Sequence, residues 1–106
     1  MQIILDKLKD NLQIIYRKSI DADAALNQLQ QQGKGKFATI FADNSPFTTR
    51  AKRFEPYVQE VAGNMDTFLA HDFTAVPIDD LQPELVVIVQ QIEALLSTLM
   101  QFKATL

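Results

Sequence analysis

Few side chains in this 106-residue chain have the chemistry to make or break bonds. There is one histidine, His71 in LAHDFTA, and no cysteine. The lack of cysteine excludes a disulfide framework, a thiolate metal site and a cysteine nucleophile, and it fits a reducing compartment. Asp79 and Asp80 are adjacent carboxylates, but adjacent helical residues point about 100° apart. They read as favourable charges at a helix start and not as a general acid–base pair. No His, Asp or Glu pair at a spacing of three or four suggests a metal site. GKGK at residues 33–36 lacks the spacing of a phosphate-binding loop and the Ser/Thr that follows its lysine, so it reads as a solvated turn. The residue types point away from catalysis. The expectation is a binding protein, not an enzyme, with no cofactor, no metal and no small-molecule substrate.

His71 invites one comparison. Histidine phosphotransfer domains are acidic helical bundles of similar size. They carry the phosphorylated histidine in mid-helix, with Lys and Gly a few residues on. Here Phe73, Thr74 and Ala75 follow, and Pro77 ends the helix soon after. A solvated or helix-capping histidine is the better account.

The elements must therefore position a binding surface. Apolar residues make up 47% of the chain and charged residues 22%, an ordinary globular balance for one domain. The net charge of -3 hides an asymmetry. Residues 1–53 hold nine Lys/Arg and five Asp/Glu, whereas residues 54–106 hold one and eight. An acidic chain is a poor general ligand for nucleic acid, because phosphate binding rests on cation density. The start MQIILDKLKD lacks a basic-then-apolar leader pattern. No apolar run approaches the roughly 20 residues that span a bilayer. A cytoplasmic protein with no membrane partner is expected.

Hydrophobic spacing predicts an all-α fold. A first helix is expected over about residues 2–18, where Leu5, Leu8, Leu12 and Ile15 draw one stripe. A second is expected over about 22–32, with Asp21 as N-cap and Gly33 as stop. FATIFADN, residues 37–44, reads as a short helix or extended connection that lays Phe37, Ile40 and Phe41 on the core. The third helix is expected to start at Ser45 as N-cap, with Pro46 in its first turn. Phe47, Ala51, Phe54, Val58, Val61, Met65 and Phe68 then alternate spacings of four and three, which predicts a helix of about 25 residues. Pro56 interrupts it. An interior proline costs roughly 3 kcal/mol, so a kink or short break is expected near Phe54–Pro56. The fourth helix is expected from about Pro83 to Phe102. Leu85, Ile88, Ile92, Leu95, Leu99 and Phe102 form one stripe, and Val86, Val89, Leu96 and Met100 a second. Its apolar arc is wide, as for a helix packed on two neighbours or on a partner. The result is a single-domain bundle of about four main helices. Its predicted core joins Leu5, Leu8 and Leu12 to Phe54, Val58, Val61, Met65 and Phe68, and to Leu85, Ile88, Ile92 and Leu95.

One stretch breaks a local rule. SPFTTRAKRF places Arg50, Lys52 and Arg53 near an expected helix start, the positive pole of the helix dipole, where cations are weakly unfavourable. Such violations concentrate at functional sites. Phe47, Thr49, Arg50, Lys52 and Arg53 are therefore the candidate partner-binding residues. Lys52 and Arg53 are expected to look outward. Arg50 borders the apolar stripe, and two readings of it stand: an interface anchor, or a stem laid over Phe47 with its head on a local carboxylate such as Asp43.

The same stretch carries a resemblance. FTTRAKRF, followed by Val58 and Met65 with Glu60 and Asn64 between them, resembles PriC, the bacterial primosomal replication protein N″. Phe47, Thr49, Arg50 and Ala51 match that family's Phe-x-Thr-Arg-Ala pattern, and the register continues to Phe68. Weaker similarity lies in ILDKLKDNL, in FAT at 37–39, and in QIEAL at 91–95. The resemblance implies a non-enzymatic factor of replication restart, which acts at abandoned forks and helps to load the replicative helicase DnaB. In that family an N-terminal helical domain is associated with helicase contact. A longer basic C-terminal half binds single-stranded DNA and the single-stranded DNA-binding protein. That half is absent here, so those two partners are not carried over, and residues 1–106 read as an isolated N-terminal domain or a shortened relative. Residues 19–36 are longer than usual for the family, and Pro56 falls where a helix former is expected. The alternative is an unrelated helical bundle that self-associates through its fourth helix as a structural or regulatory protein.

Overall fold

The stripe of the first helix does not stop at Ile15. Ser19, Ala22 and Leu26 continue it at spacings of four, three and four, and all are buried. In a computed structural model describing residues 2–33, 40–41 and 44–105, the two helices expected at the N-terminus are accordingly one, α1 (Gln2–Gln31). Asp21 is an exposed residue inside this helix and not an N-cap. Gly33 ends the helix as expected. Its φ of 70° is a left-handed value open to glycine, and its N–H donates to the Gln30 carbonyl at 3.1 Å.

The third expected helix is reshaped by Pro56. A helix running through from Ser45 would lose one backbone hydrogen bond and drive the proline ring into the carbonyl four residues back. Residues 44–54 are instead non-helical, and α2 (Glu55–Leu69) begins with the proline in its first turn, where the missing N–H costs nothing. There is no kinked helix here but a helix that starts ten residues later than the apolar pattern suggests. Phe47 and Phe54 are buried all the same, because the irregular segment folds over the bundle.

The last helix, α3 (Ile78–Thr105), starts earlier than expected, with Asp79 and Asp80 in its first turn and Pro83 inside it. Leu81 is thereby buried. The LVVIV stretch is helical, and no strand occurs among the described residues. By length and composition Ile78–Lys103 would also be long and apolar enough to cross a membrane. In the bundle Ile88, Ile92, Leu95 and Leu99 are core.

The three helices run up, down and up, each touching both others, in a body of 54 × 25 × 19 Å. At about 1.5 Å per residue, α2 covers only about half the length of its neighbours. Ten of the twelve predicted core residues are buried, while Leu12 and Leu85 pack half-buried against the cluster. Phe41 and Tyr57 complete it at the α2 start. Phe41, Phe47 and Tyr57 form a ring trio with centroids 4.7, 4.9 and 5.1 Å apart. Ile40 is half-buried, and Phe37 lies outside the described residues.

Candidate partner-binding surface at the start of the second helix

Residues 44–54 cannot satisfy their own backbone groups, since they form neither helix nor sheet. Buried N–H and C=O groups need partners, so side chains must supply them. Four do so. Glu60 on α2 accepts the Thr48 N–H at 3.1 and 3.0 Å, the Thr49 N–H at 2.7 Å and the Thr48 hydroxyl at 3.1 Å. Gln91 on α3, 1% exposed, donates from Nε2 to Glu60 Oε2 at 2.9 Å and to the Pro46 carbonyl at 3.0 Å. Its Oε1 accepts from Asn64 Nδ2 at 3.0 Å. The Tyr57 hydroxyl brackets Ala51, accepting its N–H at 3.0 Å and donating to its carbonyl at 3.1 Å. Asp23 on α1 accepts the N–H groups of Phe54 at 2.7 Å and Glu55 at 3.0 Å. That last contact is an N-cap supplied by another helix. It also places a carboxylate at the positive pole of α2.

Burial pushes the Glu60 carboxyl up, but the hydrogen bonds from Thr49 and Thr48 outweigh it and hold the pKa below the ordinary glutamate value. The clamp is thus built around an ionised Glu60.

On this platform the five candidate residues separate. Phe47 is core, 3% exposed. Thr49 is half-buried and held through its backbone by Glu60. Arg50 is exposed and folds back, donating from one terminal nitrogen to the carbonyls of Phe47 and Thr49, both at 2.9 Å. The pairing with Asp43 falls on a residue outside the description. Arg53 does not simply look outward. It is half-buried against α1, donating to Asn27 Oδ1 at 2.9 Å and Gln30 Oε1 at 2.5 Å. Lys52 is exposed, and it accompanies Arg50 on the solvent side of the segment. The cations therefore divide between a structural tie, Arg53, and an exposed pair, Arg50 and Lys52. Because the helix pole lies at Glu55 and is capped by Asp23, the expected conflict between dipole and cations is relieved.

Sequence reasoning missed Asp23 and the role of Gln91. Gln91 did carry a signal: a polar residue three positions after Ile88 and four before Leu95 sits on the buried face and requires a partner. Asp23 carried none, since its target lies 31 residues away.

Elsewhere, His71 Nε2 meets Glu84 Oε2 at 2.8 Å, and its ring stands edge-on to Phe68. Among the described residues no three His, Asp or Glu side chains come together as metal ligands. No family model, curated protein or solved structure matches this chain.

Proposed function

We propose that this chain is a non-enzymatic adaptor domain of a PriC-like replication-restart factor. Its contact with the replicative helicase DnaB runs through the segment at the start of α2, with Arg50 and Lys52 as the exposed contact residues. Phe47, Thr49 and Arg53 hold that segment in shape. One observation supports the reading most: exposed cations stand on an irregular loop whose backbone is tied to all three helices. An exposed site on a rigid base is the usual arrangement for recognition. The residues that carry the resemblance to the family are those of this segment.

The test is a binding titration with purified replicative helicase. Lys52→Glu is expected to leave the thermal midpoint unchanged, since an exposed substitution changes stability by about 0.5 kcal/mol or less. The same change is expected to weaken the helicase contact by repulsion. Arg53→Glu is a poorer probe, because it also removes the ties to Asn27 and Gln30. Full affinity after reversal of both Arg50 and Lys52 would sink the proposal. With a sequence pI near 4.9, the domain alone is expected to bind single-stranded DNA weakly or not at all.

A further inference from the structure

The face of α1 beside the core stripe has a residue spacing that is the same in both directions. Ile3, Lys7, Asp10, Ile14, Lys18, Asp21 and Ala25 follow at spacings of four, three, four, four, three and four. At about 100° per residue they fall within about 80° of arc. Ile3 and Ile14 are 72% and 45% exposed, while Lys7, Asp10 and Asp21 are exposed and Lys18 half-buried. The charges are arranged to match under reversal about Ile14. Lys7 and Asp21 lie seven residues on either side of it, and Asp10 and Lys18 lie four. Each position carries the opposite charge of its mirror position.

We propose that this face is a two-fold dimer surface, on which a second copy of the chain packs its α1 antiparallel with Ile14 on the axis. Lys7 meets Asp21 of the other copy, Asp10 meets Lys18, Ile14 meets Ile14, and Ile3 meets Ala25. An isologous interface uses one patch twice, so each pair forms two times. A parallel arrangement would set Lys7 against Lys7 and Asp21 against Asp21, which like-charge repulsion opposes. The surface is continuous with α3 through the cleft of about 260 Å³ where Lys18 and Asp21 stand beside Met100, itself 67% exposed. Met100 extends the apolar part of the patch. This inference does not depend on the adaptor reading, whose contact residues lie at the α2 start.

Sedimentation equilibrium over a concentration series tests it, with circular dichroism to confirm the fold of each variant. The wild-type chain is expected to dimerise reversibly, more weakly at high salt. Lys7→Asp alone and Asp21→Lys alone should each weaken the dimer by about tenfold or more, since one reversal creates two repulsive contacts. The double variant, Lys7→Asp with Asp21→Lys, should recover the wild-type affinity. Because the chain has no cysteine, Ile14→Cys offers a second readout. It should form a disulfide-linked dimer on mild oxidation, whereas the exposed Gln59→Cys on α2, which leaves the α1 face intact, should give no disulfide-linked dimer. A wild-type chain that stays monomeric up to about 1 mM would overturn the proposal. So would a folded double variant that fails to recover, or a dimer indifferent to Lys7→Asp.

Discussion

At its start, α2 receives an irregular segment held by carboxylate oxygens, a buried amide and a phenol from three helices. At its end, the turn toward α3 rests on Phe68, which touches the rings of His71 and Phe73, and on the exposed His71–Glu84 pair. Both connections must place backbone groups that no helix satisfies. The difference is burial. Residues 72–75 are exposed, so water can serve them, and their ties are short-range: Asp72 accepts the hydroxyl and N–H of Thr74. Those two bonds, the hydroxyl foremost, hold the Asp72 carboxyl below its ordinary value. Between Pro46 and Phe54 buried and exposed residues alternate: Phe47 and Phe54 enter the core, and Glu60, Gln91, Tyr57 and Asp23 serve the backbone groups that this burial draws in. An unpaired polar group there costs about 1–3 kcal/mol, so each tie also selects one backbone path.

If that contrast holds, the largest loss comes from the core residue beneath the turn to α3, Phe68. Phe68→Ala is expected to cost roughly 3–5 kcal/mol in denaturant unfolding. Against a total of roughly 5–15 kcal/mol, it brings the bundle near unfolding. A loss under about 1 kcal/mol would show that Phe68 is not tightly packed in the core.

Glu60→Gln comes next, at about 1–3 kcal/mol. The substituted amide puts an NH₂ where the second oxygen accepts from Thr48 and Gln91. Amide exchange at Thr48 and Thr49 should quicken while exchange in mid-α1 is little changed. Equal quickening everywhere would mean that the clamp is no local device.

The clamp should also carry a pH signature. The folded pKa of Glu60 is depressed, so its contribution is present above the unfolded glutamate pKa and is lost as pH falls through the folded value. Protection of the Thr48 and Thr49 amides should therefore decline on the acid side of the ordinary glutamate range. In Glu60→Gln that acid-side decline should vanish.

Asp23→Ala removes the cap donated across helices and should cost about 1 kcal/mol, typical for a lost N-cap. His71→Ala should matter least, within about 1 kcal/mol, since its partner contact is exposed. A larger effect of His71→Ala than of Asp23→Ala in thermal melts would reverse the ranking of the two ends.

How much of this was written in the sequence follows from what periodicity measures. Spacings of three and four report which residues are buried, and Leu5, Leu8, Val58, Val61, Met65, Ile88, Ile92 and Leu95 are buried as read. Helical content, the glycine stop at Gly33 and the amphipathic stripes are local properties, decided by neighbours within a turn or two. Backbone state is less visible. Phe47, Ala51 and Phe54 keep helical spacing in a segment that is not helical, because a loop laid on the core buries side chains at similar intervals. Asp21 reads as the N-cap of a second helix, yet α1 runs through it, since packing on α2 and α3 outweighs its preference for a cap. The platform under Arg50 and Lys52 was decided by tertiary structure alone. Its ties join Phe54 to Asp23 across 31 residues and Pro46 to Gln91 across 45, and no local rule couples residues so far apart until the helices have packed.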